Sequence, residues 1–382
     1  MDLDVSHPSL DDLRARARWR VPYFVWEYLD SATGDETSHH LNRVALDAIR
    51  LRPRVLNGDF TPDLGTHLMG RDYPLPFGMA PVGMSGLIWP DAERLLARVS
   101  AKASIPYCLS TVSAKTPEQV APHIGDQGWF QLYPPRDPEV RRDMLARAEG
   151  AGFHTLILTV DVPVASRRER LRKARLSNPM RMTPRIIAQA AMRPTWALNM
   201  LSEGIPHLAT LEKYVTTDAN LPPTAHAGYL LRTAPDWDYV AALKDEWHGK
   251  LVLKGVLDPQ DATQAVAAGV DALWVSNHGG RQFSIAPPAI EALPHIRAAV
   301  GPDYPLIFDS GVRSGSDILR AIAMGADFVM LGRGFLFGLA AFGQKGAEHV
   351  VHILREQLIA DMGQLGVKTL RETRERLNTW PD

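Results

Sequence analysis

Asp271-Ala272-Leu273-Trp274-Val275-Ser276-Asn277-His278-Gly279-Gly280-Arg281-Gln282 joins an apolar run directly to a polar, glycine-rich turn. A short apolar run that empties into glycines reads as a buried strand followed by a loop. The loop carries a histidine, which can move protons near neutral pH. Three residues on stands an arginine, which can grip a carboxylate through two parallel bonds. That pairing suits an enzyme handling a proton on a small carboxylic acid.

Seven other runs share this form. They are Phe77-Gly78-Met79-Ala80, Tyr107-Cys108-Leu109, Trp129-Phe130-Gln131-Leu132, Thr155-Leu156-Ile157-Leu158, Leu251-Val252-Leu253, Leu306-Ile307-Phe308 and Phe328-Val329-Met330-Leu331. Most follow one another at roughly 20–35 residues, the rhythm of repeated βα units. Helical patterns from Asp91 to Ala103, Asp137 to Gly150, Asp258 to Ala268 and Ser316 to Met324 fill the gaps. Gly152, Gly269 and Gly325 stand where helix C-caps are expected. Eight such units predict an α/β protein with a (β/α)8 TIM barrel, a doubly wound sheet being the alternative.

Before the barrel, residues from about 8 to 50 read as helices, with Ser9 and Asp11 as caps and Leu10, Leu13 and Ala17 at helical spacing. Tyr23, Phe24, Trp26, Tyr28 and Leu29 form an aromatic cluster whose plain reading is core packing. The expected organisation is one domain over 1–382. An N-terminal helical segment spans about 1–70, the barrel 71–345, and a C-terminal helix and tail 346–382.

A long inserted loop after the fourth strand, about 170–248, breaks the rhythm. Nine cations crowd one part of this region: Arg167, Arg168, Arg170, Arg172, Lys173, Arg175, Arg181, Arg185 and Arg193, with Glu169 the only acid among them. Ile186, Ile187, Met192, Trp196, Leu198, Met200 and Leu201 follow or interleave. A lid over the active face and contact with an anionic membrane surface both fit. The bland alternative is disorder or packing on another subunit.

With 45% hydrophobic and 22% charged residues, the composition is that of a globular protein with ample core, and a net charge of -1 gives no pull towards nucleic acid. Cys108 is the only cysteine, which excludes intrachain disulfides and cysteine-based zinc sites. The polar start Met1-Asp2-Leu3-Asp4 has no signal-peptide form, and no window reaches about 18 apolar residues. A cytoplasmic location is therefore expected, with peripheral contact on the cytoplasmic face of the inner membrane if the inserted loop binds lipid.

Barrel chemistry collects at the C-terminal ends of strands. The runs deliver Ala80-Pro81-Val82-Gly83, Ser110, Gln131 with Tyr133, Thr159 with Asp161, Lys254, Ser276 with His278, Asp309 with Arg313, and Gly332-Arg333. One polar residue at a strand end is usually a cap, but eight in register point to a site. Ser310-Gly311-Val312-Arg313-Ser314-Gly315 and Gly332-Arg333-Gly334 offer backbone N–H groups and two arginines to a phosphate.

These segments resemble FMN-dependent (S)-2-hydroxy-acid oxidases and dehydrogenases. The resemblance rests on Ser276-Asn277-His278-Gly279-Gly280-Arg281-Gln282 together with Ala80–Gly83, Phe130–Tyr133, Thr159-Val160-Asp161-Val162-Pro163, Lys254-Gly255, Asp309–Arg313 and Gly332-Arg333. It covers roughly residues 10 to 360. Ser310, where glycolate oxidases have glycine, and the inserted loop bring it closest to bacterial respiratory L-lactate dehydrogenases, with mandelate dehydrogenases next.

The resemblance implies His278 as catalytic base and Asp161 as the carboxylate that stabilises its imidazolium. Arg281 and Tyr28 would bind the substrate carboxylate, Arg168 would be a second, mobile arginine near the substrate, and Tyr133 would bond the substrate hydroxyl. Lys254 would sit against the reduced flavin's negative charge. Ser110, Gln131, Thr159 and Ser276 would bond the ring edge beside Ala80, Pro81 and Val82. Asp309, Gly311, Arg313, Gly332 and Arg333 would complete the FMN site, the two arginines on its phosphate. Val112 and Gly83, replacing tryptophan and alanine of glycolate oxidases, imply room for a side chain larger than hydrogen, lactate's methyl or mandelate's phenyl. A quinone or another electron acceptor, and a homotetramer, are likewise implied. Competing readings are an oxidase that makes hydrogen peroxide, a metal-dependent barrel lyase or isomerase, and a non-enzymatic flavin store. No His/Asp/Glu ligand cluster supports the metal reading.

Overall fold

The computed structural model describes residues 2–176, 183–214 and 232–377. Strands β1 (Thr66–Leu68) and β2 (Arg71–Tyr73) form an antiparallel hairpin. Eight parallel strands follow: β3 (Phe77–Met79), β4 (Tyr107–Ser110), β5 (Gly128–Leu132), β6 (Thr155–Thr159), β7 (Lys250–Val256), β8 (Ala272–Val275), β9 (Leu306–Phe308) and β10 (Phe328–Leu331). They pair in chain order, and β10 closes on β3, so the sheet is a barrel without edges. This is the TIM barrel, and the doubly wound alternative is excluded.

The strands read as unbroken apolar runs because both their faces are buried. Along β8, Ala272 and Trp274 point into the barrel with Cys108, Trp129, Ile157, Val252 and Phe328, while Leu273 and Val275 join the layer under the helices. Leu68 and Tyr73 of the hairpin pack into the same interior, Tyr73 lying 5.3 Å from the Phe328 ring. The segment 1–70 is therefore not purely helical, since the hairpin begins inside it. Its signal was the Met69-Gly70 pair, both at positive φ, the geometry that tight hairpins favour.

Before the hairpin run the helices Leu10–Arg20, Tyr23–Asp30 and Thr37–Ala48. Ser9 caps the first through a reciprocal capping box with Asp12, and Asp11 lies in the first turn. The expected βα helices appear with Asp91, Asp137, Asp258 and Ser314 as N-caps. Gly152, Gly269 and Gly325 all adopt positive φ at the expected stops. At the C-terminal end, the helix Arg333–Phe342 leads into the 22-residue helix Gln344–Leu365.

The described parts of the insertion carry the helices Glu169–Ala174, Pro184–Ala191, Pro194–Glu203 and Trp237–Glu246. They pack on this chain. Trp196 is buried, donates to the Leu87 carbonyl and meets Phe24 edge-on at 5.8 Å. Arg170 is spent on structure, bonding Glu27, Glu36 and Asp30 of the N-terminal segment. Arg181 lies outside the described residues.

Candidate active site

His278 opens the turn that follows β8 and holds φ 57°, a left-handed conformation disfavoured for a side-chain-bearing residue. Its Nδ1 lies 3.1 and 3.2 Å from the two oxygens of Asp161, at the end of β6. The carboxylate accepts from Nδ1–H, which leaves Nε2 as the proton acceptor. The side chains are only 17% and 13% exposed. Burial pushes the His278 pKa below its ordinary 6.5 despite the opposing pull of Asp161. Burial also resists ionisation of Asp161, yet the charges of His278 and Lys254 hold its carboxyl below the usual range. A neutral imidazole beside an ionised carboxylate is poised to accept a proton.

Room for Asp161 comes from β7. A register shift there places Gly255 at φ 107°, and a Cβ on it would stand 2.5 Å from the Asp161 Cβ. The bulge thus seats the carboxylate beside Lys254.

His278 lines a cavity of about 710 Å³ together with Tyr28, Tyr133, Arg168 and Arg281. The Arg281 guanidinium donates to the carbonyls of Tyr28, Leu29 and Ser31, at and just beyond the C-terminus of the helix Tyr23–Asp30. A cation suits that end of a helix. These bonds fix the guanidinium and leave two of its five N–H donors for an anion. Tyr28 donates its hydroxyl to the Gly83 carbonyl at 2.7 Å. The Tyr133 ring lies under the Arg232 guanidinium at 5.7 Å. Arg168, at the start of the helix Glu169–Ala174, adds a second positive charge, and its repulsion joins burial in pushing Arg281 down to about 9.

The cavity wall also contains Ala80, Pro81, Val82, Lys254, Asp309, Gly311, Arg313, Gly332 and Arg333. Arg333 is buried, donates to the Gly279 carbonyl and bonds His39 Nδ1 at 3.2 Å. Burial and neighbouring arginines push Arg333 far below its usual pKa, and burial with Arg43 pushes Arg313 to about 10. Arg333 in turn forces His39 down to about 3. Among the described residues neither Arg313, Arg333 nor Arg281 forms a salt bridge. One buried and two half-buried guanidiniums around one cavity, without a carboxylate on any of them, call for anions within it. The uncapped N-terminus of the helix Arg333–Phe342 adds free N–H groups.

Behind the wall lie Ser110, Gln131, Thr159 and Ser276. Ser110 donates to Gln131 Oε1 at 2.7 Å, while Gln131 Nε2 is buried without a partner. An orphaned amide donor fits the carbonyl edge of a bound ring. Thr159 is buried and registers with Lys254 across β6 and β7. Lys254 donates to Ser276 at 3.2 Å and faces Asp309 at 3.6 Å. Phosphate-sized positive charge, an unmet amide donor and a cation at the wall match a flavin mononucleotide. No group of three or more His, Cys, Asp or Glu suited to a metal occurs among the described residues.

Two features escaped the sequence. Arg232, His39 and the carbonyls under Arg281 come from segments without a motif. The space expected from Gly83 and Val112 is also shared differently, because a Cβ on Gly83 would lie 2.4 Å from Val112 Cγ2. Val112 therefore occupies what Gly83 vacates.

A model of the family described as FMN-dependent dehydrogenase matches residues 17–379. The chain is 37% identical to the L-lactate dehydrogenase of Pseudomonas syringae pv. syringae (strain B728a) over 368 residues, 95% of this chain and 96% of that one. It is 38% identical to the L-lactate dehydrogenase of Bartonella quintana (strain Toulouse), with 95% of each chain covered. Among solved structures, the monotopic membrane protein (S)-mandelate dehydrogenase superposes with a TM-score of 0.89 at 32% identity, covering 96% of this chain and 97% of that one. Mandelate oxidase with (S)-2-phenylpropionate gives 0.82 at 33% identity, covering 97% and 98%.

Proposed function

The chain belongs to the FMN-dependent dehydrogenase family, and on that premise we propose that it oxidises an (S)-2-hydroxy acid, L-lactate foremost, to the 2-oxo acid. Bound FMN supplies the two-electron acceptor. His278 takes the substrate proton at Nε2, and Asp161 stabilises the imidazolium that results. Arg281 binds the substrate carboxylate, joined by the Tyr28 hydroxyl once it turns from the Gly83 carbonyl, with Arg168 near the substrate, and Tyr133 bonds the substrate hydroxyl. Arg313 and Arg333 hold the cofactor phosphate with the backbone of Gly311 and Gly332. Asp309, Ala80, Pro81, Val82, Ser110, Gln131, Thr159 and Ser276 seat the rest, and Lys254 favours negative charge on the ring.

The contact of His278 with Asp161 beside Arg281, in one cavity, carries this reading. It is tested by adding L-lactate, glycolate and (S)-mandelate to the purified yellow enzyme without oxygen. L-lactate or (S)-mandelate should bleach the flavin faster than glycolate. A flavin that none of the three reduces would overturn the proposal.

Residues 1–382 act as one catalytic unit in this reading. Electrons pass from it to a quinone or another acceptor, and hydrogen peroxide formed at the rate of product would instead indicate an oxidase. A peripheral membrane face is supported by exposed Trp19, Ile187, Met192, Leu198, Leu201 and Ile205 around Arg185 and Arg193. Among the described residues no helix is long and apolar enough to cross a membrane. Binding to anionic vesicles, and homotetramer mass by light scattering, test these two points.

A further inference from the structure

Ser310 follows β9 at φ 91°, a backbone conformation in which glycine is at ease and serine is strained. Its hydroxyl is nonetheless fully employed. Oγ accepts from the N–H of Asn277 at 3.2 Å and of Gly279 at 3.1 Å, and donates to Asp309 Oδ1 at 2.8 Å. A hydroxyl has one donor and two acceptor positions, so all three are in use. The two amides flank His278.

Within the turn itself only the N–H groups of Gly280 and Arg281 find main-chain acceptors, the carbonyls of Asn277 at 3.0 Å and His278 at 3.3 Å, so the amides flanking His278 depend on groups outside it. His278, Gly279 and Gly280 run at φ 57°, 64° and 74°, and two glycines in succession add little backbone restraint of their own, although Arg333 and the Thr33 N–H hold their carbonyls. Side-chain oxygens take every N–H from 277 to 280. Ser310 accepts two, Ser276 Oγ accepts that of His278 at 2.9 Å, and Asn277 Oδ1 accepts that of Gly280 at 3.2 Å. Asp309 orients both serines, since Ser276 Oγ also donates to it. With their hydrogens directed at this carboxylate, Ser310 turns both lone pairs to the loop, and Ser276 turns one to the His278 N–H and one to Lys254.

We propose that Ser310 is a positioning residue for the base, a side-chain clamp that trades backbone strain at 310 for a fixed His278 aimed at Asp161. The proposal rests on His278 being the base. Ser310 acts through the main chain at 277 and 279 and touches neither the imidazole nor Asp161. Loss of its hydroxyl frees the turn, and displacement of a reacting group by about 1 Å costs on the order of 100-fold in rate.

The experiment compares Ser310→Gly, which removes hydroxyl and strain together, with Ser310→Ala, which removes the hydroxyl alone. Both holoenzymes should keep FMN, and Ser310→Gly should unfold at or above the wild-type temperature. Anaerobic flavin reduction by L-lactate should slow about 10- to 100-fold in both. Substrate saturation should change little, because Arg281 is held separately by the carbonyls of Tyr28, Leu29 and Ser31. Hydrogen exchange should rise in the peptide spanning 273–283, with or without flavin. Wild-type rates in both variants would overturn the proposal. So would a slow Ser310→Ala beside a normal Ser310→Gly, which would assign the defect to strain. If the base reading itself were wrong, His278→Gln would reduce its flavin normally, whatever Ser310 does.

Discussion

His278 and Asp161 meet at a single imidazole nitrogen, Nδ1, 3.1 and 3.2 Å from the two carboxylate oxygens, although 117 residues separate them. The contact joins the ends of β6 and β8, and the bulge at Gly255 in the strand between them makes it sterically allowed. Burial keeps this base neutral into mildly acidic solution, and the contact with Asp161 steadies it once it takes a proton.

Asp161→Asn keeps a hydrogen-bonding side chain and removes the charge. Of the charged groups acting on His278, Asp161 and Asp309 raise its pKa, while burial and Lys254 lower it. Flavin reduction by the wild type should rise with pH through a limb below 6.5 and then level off, because the active form is the neutral one. Without the Asp161 charge the limb should move to still lower pH, and the plateau should fall about 100-fold or more. Anaerobic stopped-flow between pH 4.5 and 8 measures both. A limb moving upward would contradict the assignment.

Gly83→Ala should disturb the enzyme through Val112. The added methyl would stand 2.4 Å from Val112 Cγ2, and both residues line the cavity. Overpacking of this kind costs about 1–3 kcal/mol. The variant should lose stability and react more slowly, with (S)-mandelate affected more than L-lactate. Adding Val112→Ala should restore both. Thermal unfolding and kcat/KM for the two acids, measured on the double-mutant cycle, check the coupling.

Arg333→Ala should release the cofactor. A hydrogen bond to a charged group is worth about 1.5–3 kcal/mol, so FMN affinity should weaken about 10- to 150-fold. Inorganic phosphate should raise the unfolding temperature of the flavin-free wild type and have a smaller effect on the variant. Flavin retained at wild-type affinity would remove Arg333 from the phosphate site.

The barrel was legible because strands buried on both faces write themselves as apolar runs bounded by glycine, as Ala272–Val275 does. The hairpin Thr66–Tyr73 was not, since three-residue strands carry no periodicity and only Met69-Gly70 marks the turn. Strand ends such as Ser110, Gln131 and Lys254 could be read in register once the barrel was assumed. Pairing across the barrel could not. Nothing in spacing tells that Asp161 faces His278, and that expectation came from family resemblance. The insertion was least legible. Its cations looked alike in sequence, yet Arg170 is tied to Glu27, Glu36 and Asp30 while Arg168 lines the cavity. Only tertiary placement separates them.

The central claim is that the His278 imidazole takes the substrate proton while other side chains of the same cavity, Arg313 and Arg333 among them, hold FMN. Its most direct test is His278→Gln, purified with its flavin and mixed without oxygen with L-lactate and with (S)-mandelate. The variant should be yellow, with FMN in wild-type proportion, and should stay yellow while the wild type bleaches. Bleaching of His278→Gln at near the wild-type rate would contradict the account.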